Sequence, residues 1–205
     1  MSVNIDIGVV LLGAGASSRM GRPKLLLPWG DTTIAGHLIA QWQSLGARQI
    51  AVVHRPHDES LLAELVRNHF QLSNCIENPR PDDGMFSSVQ CAARWPGWRP
   101  GLTHWAIVLG DQPHLKPETL RLLLAEVARH PGAVCQPAFE GKAKHPVVLP
   151  LPVFRELAAA TEKNLKLFLE RPVCLSVKCS IPDPGLSLDL DTPEDYKRAL
   201  LSVAL

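Results

Sequence analysis

Apolar runs of strand length alternate with segments of helical period along nearly the whole chain, and no other feature narrows the fold as far. Residues 5–12 (IDIGVVLL) are the first apolar run. Ile34, Leu38, Ile39, Trp42 and Leu45 then recur at helical spacing, with Gly46 at the expected stop. Residues 49–54 (QIAVVH) read as a second strand, and residues 58–70 as a helix capped by Asp58 or Ser60. Residues 72–78 form a weaker third strand. Residues 104–111 (HWAIVLGD) are apolar on both faces, which predicts a central strand. Leu120, Leu123, Leu124 and Val127 mark the next helix. Strands over 132–139 and 145–150, a helix over much of 153–169, an edge strand at 174–179 and a closing helix over 192–205 complete the order. This pattern predicts an α/β fold with a mostly parallel sheet and helices on both faces. Ligands of such sheets sit beyond the carboxyl ends of the strands. The loops after Leu12, Asn78, Leu109 and Leu190 are therefore the places to look for chemistry.

Composition excludes several classes. The formal net charge of +1 offers no global field for nucleic acid or an anionic membrane, so an anionic ligand needs a local site. No apolar run approaches the roughly 18 residues of a spanning helix, and residues 1–8 (MSVNIDIG) lack the pattern of a signal peptide. The five cysteines include no C-x-x-C pair, which argues against a zinc ribbon or a disulfide framework and for thiols in a reducing cytoplasm. Residues 94–101 (RWPGWRPG) read as a stiff connection whose rings pack locally. At 205 residues the chain is long enough for one domain, residues 1–205, with a substantial core.

The loop after the first strand belongs to residues 11–30, LLGAGASSRMGRPKLLLPWG. It is not a dinucleotide fingerprint. Ser18 stands where a third glycine is needed, and Pro23 and Pro28 delay the next helix until about Thr33. The second strand ends in His54 and Arg55 rather than in an acid for a ribose, and no G-K-[ST] of a Walker loop occurs. What is left is a long glycine loop carrying Arg19 and Lys24. Its glycines let backbone N–H groups approach phosphate oxygens, Arg19 can clamp two oxygens, and Lys24 supplies a point charge. That combination suits a nucleoside triphosphate. Asp111, at the end of the central strand, is placed to bind Mg²⁺, which takes few carboxylates and completes its shell with phosphate oxygens.

These residues resemble a known family. The loop looks like the signature of the small nucleotidyltransferases that join a nucleotide to molybdopterin. The likeness continues through GMFSSVQ (84–90), GDQP (110–113), HPVV (145–148) and DLDTPEDY (189–196). PKLLLPW, GMFSS and DLDTPED resemble the molybdenum cofactor cytidylyltransferases more than the guanylyltransferases.

The resemblance implies a single Rossmann-like three-layer domain of the nucleotide-diphospho-sugar transferase type. It implies transfer of CMP from CTP to molybdopterin, with release of pyrophosphate and with Mg²⁺ as cofactor. It assigns Gly13, Ala14, Gly15, Arg19, Lys24, Gly84, Ser87 and Ser88 to the nucleotide and Arg19, Lys24 and Asp111 to catalysis. Asp111 would share the metal with Asp189 or Asp191, and His145 and Pro146 would lie beside the acceptor. A molybdoenzyme or its chaperone would be a downstream partner, in the cytoplasm. Two departures fall in the acceptor region. Lys144 stands where relatives carry glycine, and TEKNLKLFL (161–169) replaces a Gly-Asp-x-Gly-Ala-Arg-like stretch.

Three rival readings are separable. Another phosphate acceptor would emerge from a substrate screen. A nucleotide- or cofactor-binding chaperone would bind without releasing pyrophosphate. An NADP-dependent oxidoreductase would respond to a nicotinamide titration.

Overall fold

The computed structural model describes residues 5–15 and 18–203. Ala204 and Leu205, the end of the expected closing helix, lie outside the described residues, as do residues 1–4 and Ala16 and Ser17 of the opening loop. The strands are β1 (Ile7–Leu12), β2 (Pro28–Trp29), β3 (Thr32–Thr33), β4 (Gln49–His54), β5 (Cys75–Glu77), β6 (His104–Leu109), β7 (Val134–Phe139), β8 (Lys142–Ala143), β9 (Val147–Pro150) and β10 (Ser176–Ser180). The helices are α1 (Ile34–Ser44), α2 (Glu59–Arg67), α3 (Met85–Arg94), α4 (Pro117–Arg129), α5 (Leu151–Glu156), α6 (Leu165–Leu169) and α7 (Pro193–Val203).

The main sheet runs β10-β7-β9-β6-β1-β4-β5, with β8 paired to β7, while β2 and β3 form a separate hairpin. Pairing is parallel except where β9 meets β6 and β7 and where β8 meets β7. The expected mostly parallel sheet is therefore observed, with β6 central and β10 at an edge. Alternate residues of each strand face opposite layers. Val9, Leu11, Val52 and Val108 point to one core, with Leu38, Trp42, Leu65 and Leu123 from the helices. Val10, Val53, Ile107 and Leu149 point to the other, with Phe86, Val89, Phe154 and Phe168. Burying each such side chain stabilises the fold by roughly 1.5–3 kcal/mol before chain entropy is charged against it. This is the expected three-layer α/β arrangement.

Local chemistry explains most boundaries. Asp58, not Ser60, caps α2, its Oδ1 accepting from the Leu61 N–H at 3.2 Å. Thr192 caps α7, and Asp195 accepts from the Thr192 N–H in return, which closes a capping box. The ring-rich connection packs as expected. Trp98 meets Trp95, Trp105 and Phe154 edge-on and donates its Nε1–H to the Ala92 carbonyl.

The helix expected over 153–169 is broken. After α5 and a single 3-10 turn, Ala160 is extended, and Asn164 starts α6 by accepting from the Leu167 N–H. Side chains of α3 take the intervening carbonyls: Gln90 donates to the Ala160 oxygen at 2.7 Å and Arg94 to the Ala158 oxygen at 2.7 Å. Carbonyls committed to α3 cannot continue the helical ladder.

Candidate active site

Register brings the predicted loops together. Leu12 of β1 pairs with Val53 of β4 and with Leu109 of β6, so the chain leaves three neighbouring strands at one edge. Gly13 begins the opening loop there, its N–H bonded to the Val53 carbonyl at 2.7 Å. A Cβ on Gly13 would stand 3.0 Å from that same oxygen and 2.7 Å from Leu25 Cδ1, so the approach requires glycine. Ala14 is buried and Gly15 exposed. Gly13, Gly15, Lys24, Gly110 and Asp111 line a cavity of about 540 Å³, a volume suited to a nucleotide-sized ligand.

The cations of this loop are paired, and with acids distant in sequence. Lys24 Nζ donates to Asp191 Oδ1 at 2.8 Å and lies 3.6 Å from Asp111 Oδ2. Arg19 reaches Asp191 Oδ2 at 2.9 Å while its side chain stays 70% exposed. The expected short strand around Asp189 and Asp191 does not form, yet the segment is held. The Leu190 N–H donates to the Asp111 carbonyl at 3.1 Å, and Leu190 is fully buried. Tyr196 of α7 also donates to the Pro28 carbonyl of the small hairpin. These contacts fix Asp191 across from Lys24. Asp189 is engaged differently, its Oδ1 accepting from Gln112 Nε2 at 2.9 Å.

The carboxylates differ in their electrostatics. Burial pushes the Asp111 carboxyl above the usual carboxylate range; Lys24 opposes this, and Asp189 and Asp191 reinforce it. Asp191 is held below that range, chiefly by the hydrogen bond from Lys24, with Arg19 adding to it. Among the described residues Asp111 Oδ1 is buried with no hydrogen-bond partner. An unpaired buried carboxylate oxygen is costly unless a cation meets it.

The donor set fits a divalent ion. Lys24 Nζ stands between Asp111 and Asp191, the two carboxylates that would hold such an ion. No cluster of three or more His, Cys, Asp or Glu side chains is arranged as a metal cage among the described residues. A site of two carboxylates completed by phosphate oxygens suits Mg²⁺ better than Ca²⁺, which takes six to eight oxygen ligands.

The second predicted loop lies apart from this cavity. Gly84 caps α3 at φ 90°, ψ 176°, a conformation reserved for glycine. Ser87 Oγ donates within its own turn, to the Gly84 carbonyl at 2.8 Å or the Arg80 carbonyl at 3.0 Å. Asn78 donates to both Ser87 Oγ and Ser88 Oγ, at 2.8 and 2.9 Å. These hydroxyls hold the loop in shape. Asn78, which sequence reasoning passed over, organises it.

Arg55, His57 and Asp58, after β4, also line the cavity and were not anticipated in that role. Arg55 bonds Asp82 at 3.2 Å and so ties this loop to the turn before Gly84. The rule that pointed to the other strand ends applies equally to β4 and would have found them.

His145 and Pro146 lie farther along the edge, joined by a cis peptide bond. Pro146 is buried. The His145 imidazole, its pKa lowered chiefly by burial, is held neutral and lines a second cavity of about 730 Å³. Lys144 is not among the positive-φ residues, so its backbone has no need of glycine.

Comparisons with known proteins give the family. Residues 9–175 match the family described as MobA-like NTP transferase domain. The molybdenum cofactor cytidylyltransferase of Escherichia coli strain K12 is 29% identical over 191 residues, covering 93% of both chains. The crystal structure of Rv0371c from Mycobacterium tuberculosis H37Rv superimposes with a TM-score of 0.74 at 26% identity, covering 96% of this chain and 98% of that one. The same protein has been solved in complex with manganese, with a TM-score of 0.70 at 26% identity, covering 97% and 100%. A nucleotidyl transferase from Methanothermobacter thermautotroptrophicus shares the fold, with a TM-score of 0.75 at 23% identity over 97% and 98%. The family match takes in most of the chain, from within β1 to beyond α6; the chain belongs to the MobA-like NTP transferase domain family and is a nucleotidyltransferase.

Proposed function

We propose that this nucleotidyltransferase moves CMP from CTP to a phosphate-bearing acceptor, molybdopterin or the molybdenum cofactor, with Mg²⁺ as its metal. The carrying observation is the Lys24 ammonium set between Asp111 and Asp191 beside the glycine loop. The cytidylyltransferase activity of the Escherichia coli relative, matched along 93% of its length, supports the donor and the acceptor. The manganese complex of the mycobacterial relative supports a divalent ion.

In this reading Asp111 and Asp191 hold the metal, with Asp189 turned toward Gln112. A divalent cation bound there supplies positive charge to the phosphate oxygens. The N–H groups of the glycine loop receive the triphosphate. Lys24 turns from Asp191 to the phosphates, and Arg19, largely exposed, swings in over them. An oxygen of the acceptor phosphate attacks the α-phosphorus of CTP. A new P–O–P bond forms, the bond to the β-phosphate breaks, and pyrophosphate departs with its electron pair. The acceptor phosphate is already ionised, so no general base is needed. Catalysis comes from positioning and charge neutralisation. In this reading the base reaches past the glycine-loop cavity to the Gly84–Ser88 turn, which Arg55 ties to that cavity through Asp82; cytosine offers an amino donor and two acceptors, and uracil in the same site would leave buried groups unpaired. A MobA-like cytidylyltransferase of this kind would hand its product to a molybdoenzyme or its chaperone.

Pyrophosphate release measured with each of the four nucleoside triphosphates, with and without molybdopterin, tests this. CTP with molybdopterin should stand out. A preference for GTP would move the chain to guanylyl transfer, and CTP binding without pyrophosphate release would reduce it to a binding protein.

A further inference from the structure

The segment that carries Asp189 and Asp191 forms no strand, yet four hydrogen bonds fasten it to the chain that follows β6. The Leu190 N–H donates to the Asp111 carbonyl at 3.1 Å, and Gln112 Nε2 donates to Asp189 Oδ1 at 2.9 Å. His114 Nε2 bonds the Gly185 carbonyl at 2.9 Å, and the Thr119 hydroxyl donates to Asp183 Oδ2. The partners rise in number on one side, from Asp111 to Thr119, and fall on the other, from Leu190 to Asp183. The two segments therefore run antiparallel, clasped mainly by side chains where a sheet would use its backbone.

One end of this clasp is the active site, where Asp111 and Asp191 flank Lys24. The other end is buried. Gln112, His114, Thr119 and Asp183 are four polar side chains withdrawn from water. Burying a carboxylate is costly unless donors meet it. Asp183 has a donor on each oxygen, since its Oδ1 accepts from the Gly185 N–H at 2.8 Å and its Oδ2 from Thr119. A carbonyl can only accept, so His114 carries its proton on Nε2. A satisfied polar network of this kind rigidifies its surroundings and selects one arrangement of them. What it selects here is the place of the segment that ends in Asp191. A small divalent ion demands near-ideal geometry from its ligands, and groups behind the ligands commonly supply that precision.

We propose that His114 and Asp183 are positioning residues of the candidate metal site: through the Gly185 carbonyl and the Thr119 hydroxyl they lock residues 183–191 against the chain after β6 and so set the span between Asp111 and Asp191. The proposal rests on the reading in which those two carboxylates hold the divalent ion. Neither His114 nor Asp183 lines the nucleotide cavity, so each acts through the segment it holds.

The hydrogen bonds can be separated from the bulk of the side chains. In His114→Gln the amide nitrogen falls near the place of Nε2 and can still donate to the Gly185 carbonyl. In His114→Asn it falls near Nδ1 and cannot. Thr119→Ser keeps the hydroxyl on Asp183, and Thr119→Val removes it. Two measurements on the full chain read the result. Hydrogen exchange at the Leu190 amide, without metal or nucleotide, reports the clasp. Titration with Mn²⁺ at saturating CTP, followed by the paramagnetic resonance of the free ion, reports the metal affinity.

His114→Asn and Thr119→Val should each weaken Mn²⁺ binding by about 10-fold or more. Both should speed exchange at Leu190 while the Val10 and Val52 amides of the central sheet keep their wild-type rates. The Mg²⁺ concentration for half-maximal pyrophosphate release should rise with the Mn²⁺ dissociation constant, with a smaller change in kcat at saturating Mg²⁺. His114→Gln and Thr119→Ser should match the wild type in every respect. Wild-type Mn²⁺ affinity and Leu190 exchange in His114→Asn and Thr119→Val, even with a lowered Tm, would make the cluster purely structural and overturn the proposal. A loss in His114→Gln as large as in His114→Asn would assign the effect to packing of the ring and overturn it too. If His114→Asn does not fold, the Thr119 pair decides by the same criteria. A wild type that binds no Mn²⁺ would refute the metal reading itself; faster Leu190 exchange in the two disruptive variants would then still support the hold on Asp191, and unchanged exchange would overturn it.

Discussion

Replacing Asp111 with asparagine separates a metal ligand from a turn residue, because the two roles predict opposite changes. The side chain is 26% exposed, and its Oδ1 is buried without a partner. Leaving such an oxygen unpaired costs about 1–3 kcal/mol. The asparagine variant would carry no charge to desolvate. It would forfeit the attraction of Lys24 at 3.6 Å, but Lys24 retains Asp191 at 2.8 Å, so that loss is about 0–1 kcal/mol. The buried amide needs a partner of its own, which leaves a net gain of about 1 kcal/mol. For a chain of this size that raises Tm by about 2–4 °C. Activity should move the other way, falling by about 10²-fold or more once one anchor of the reacting charges is gone. CTP with Mg²⁺ should stabilise the wild type by about 2.7 kcal/mol at 100 times its Kd, and should do far less for the variant.

The pH dependence follows from the raised pKa of Asp111. A carboxyl that protonates more readily folded than unfolded adds stability below its unfolded pKa and loses it as pH rises through the folded value. The advantage of asparagine over aspartate should therefore be largest near neutrality and shrink as pH falls toward 3.8. Thermal melts from pH 4 to 8, with and without CTP and Mg²⁺, and pyrophosphate release measure all three effects. A Tm lowered by more than about 4 °C together with retained Mg²⁺-dependent turnover would refute the reasoning and make Asp111 a structural turn residue.

Lys24→Ala should reduce turnover by about 10²-fold in an intact fold; unchanged steady-state kinetics would remove Lys24 from the phosphates. Gly84→Ala should cost about 1–3 kcal/mol, because φ 90°, ψ 176° is strained for any residue with a Cβ; an unchanged urea midpoint would show that the turn can relax. Gly13→Ala should destabilise by about 1–3 kcal/mol, since Leu25 can yield but the Val53 carbonyl cannot, and weaker CTP binding should accompany it in a titration. Burial pushes the Cys135 thiol from 9.0 up to about 12, so the unfolded chain ionises first and stability should fall above pH 9, by about 1.4 kcal/mol per pH unit from this group. Urea midpoints at pH 8, 9 and 10 should fall less steeply in Cys135→Ala than in the wild type, the remaining slope coming from other buried thiols such as Cys75, which burial pushes up to about 11; equal slopes would remove Cys135 from the account.

The layers and the central place of β6 were legible because apolar side chains fill both faces of the inner strands. Val9 and Leu11 against Val10 is a pattern that sequence displays directly. The break at residues 160–164 was not, because Leu157, Leu165 and Phe168 satisfy a helical period across it. The carbonyls there are claimed by Gln90 and Arg94, residues 70 and 64 positions away. The glycine loop, Arg19, Lys24 and Asp111 are legible from residue type and strand-end position. Their ion pairs are not, since nothing local links Lys24 to Asp191. The alternation of Leu188, Asp189, Leu190 and Asp191 suggests a strand, but the Asp191 N–H donates to the Asp189 carbonyl at 3.0 Å in a tight turn, and the Leu190 N–H goes to the Asp111 carbonyl rather than to a ladder. Lys144 replaces a glycine whose special geometry this backbone does not use.

The pairing of Lys24 with Asp191 spans 167 positions, and that has a consequence for a chain still being made. A ribosome adds about 5–20 residues per second, so Lys24 leaves the peptidyl-transferase centre about 8–33 s before its partner is even polymerised. During that interval β1, β4 and β5 can pair and the glycine loop can form, while one of the two carboxylates beside it does not yet exist. A nascent chain of this protein should hold no metal-bound nucleotide, however complete its first strands become. Competence arrives abruptly, when the closing helix docks through Tyr196 and carries Asp191 into place. Translation arrested before that point should yield a chain that is chemically silent.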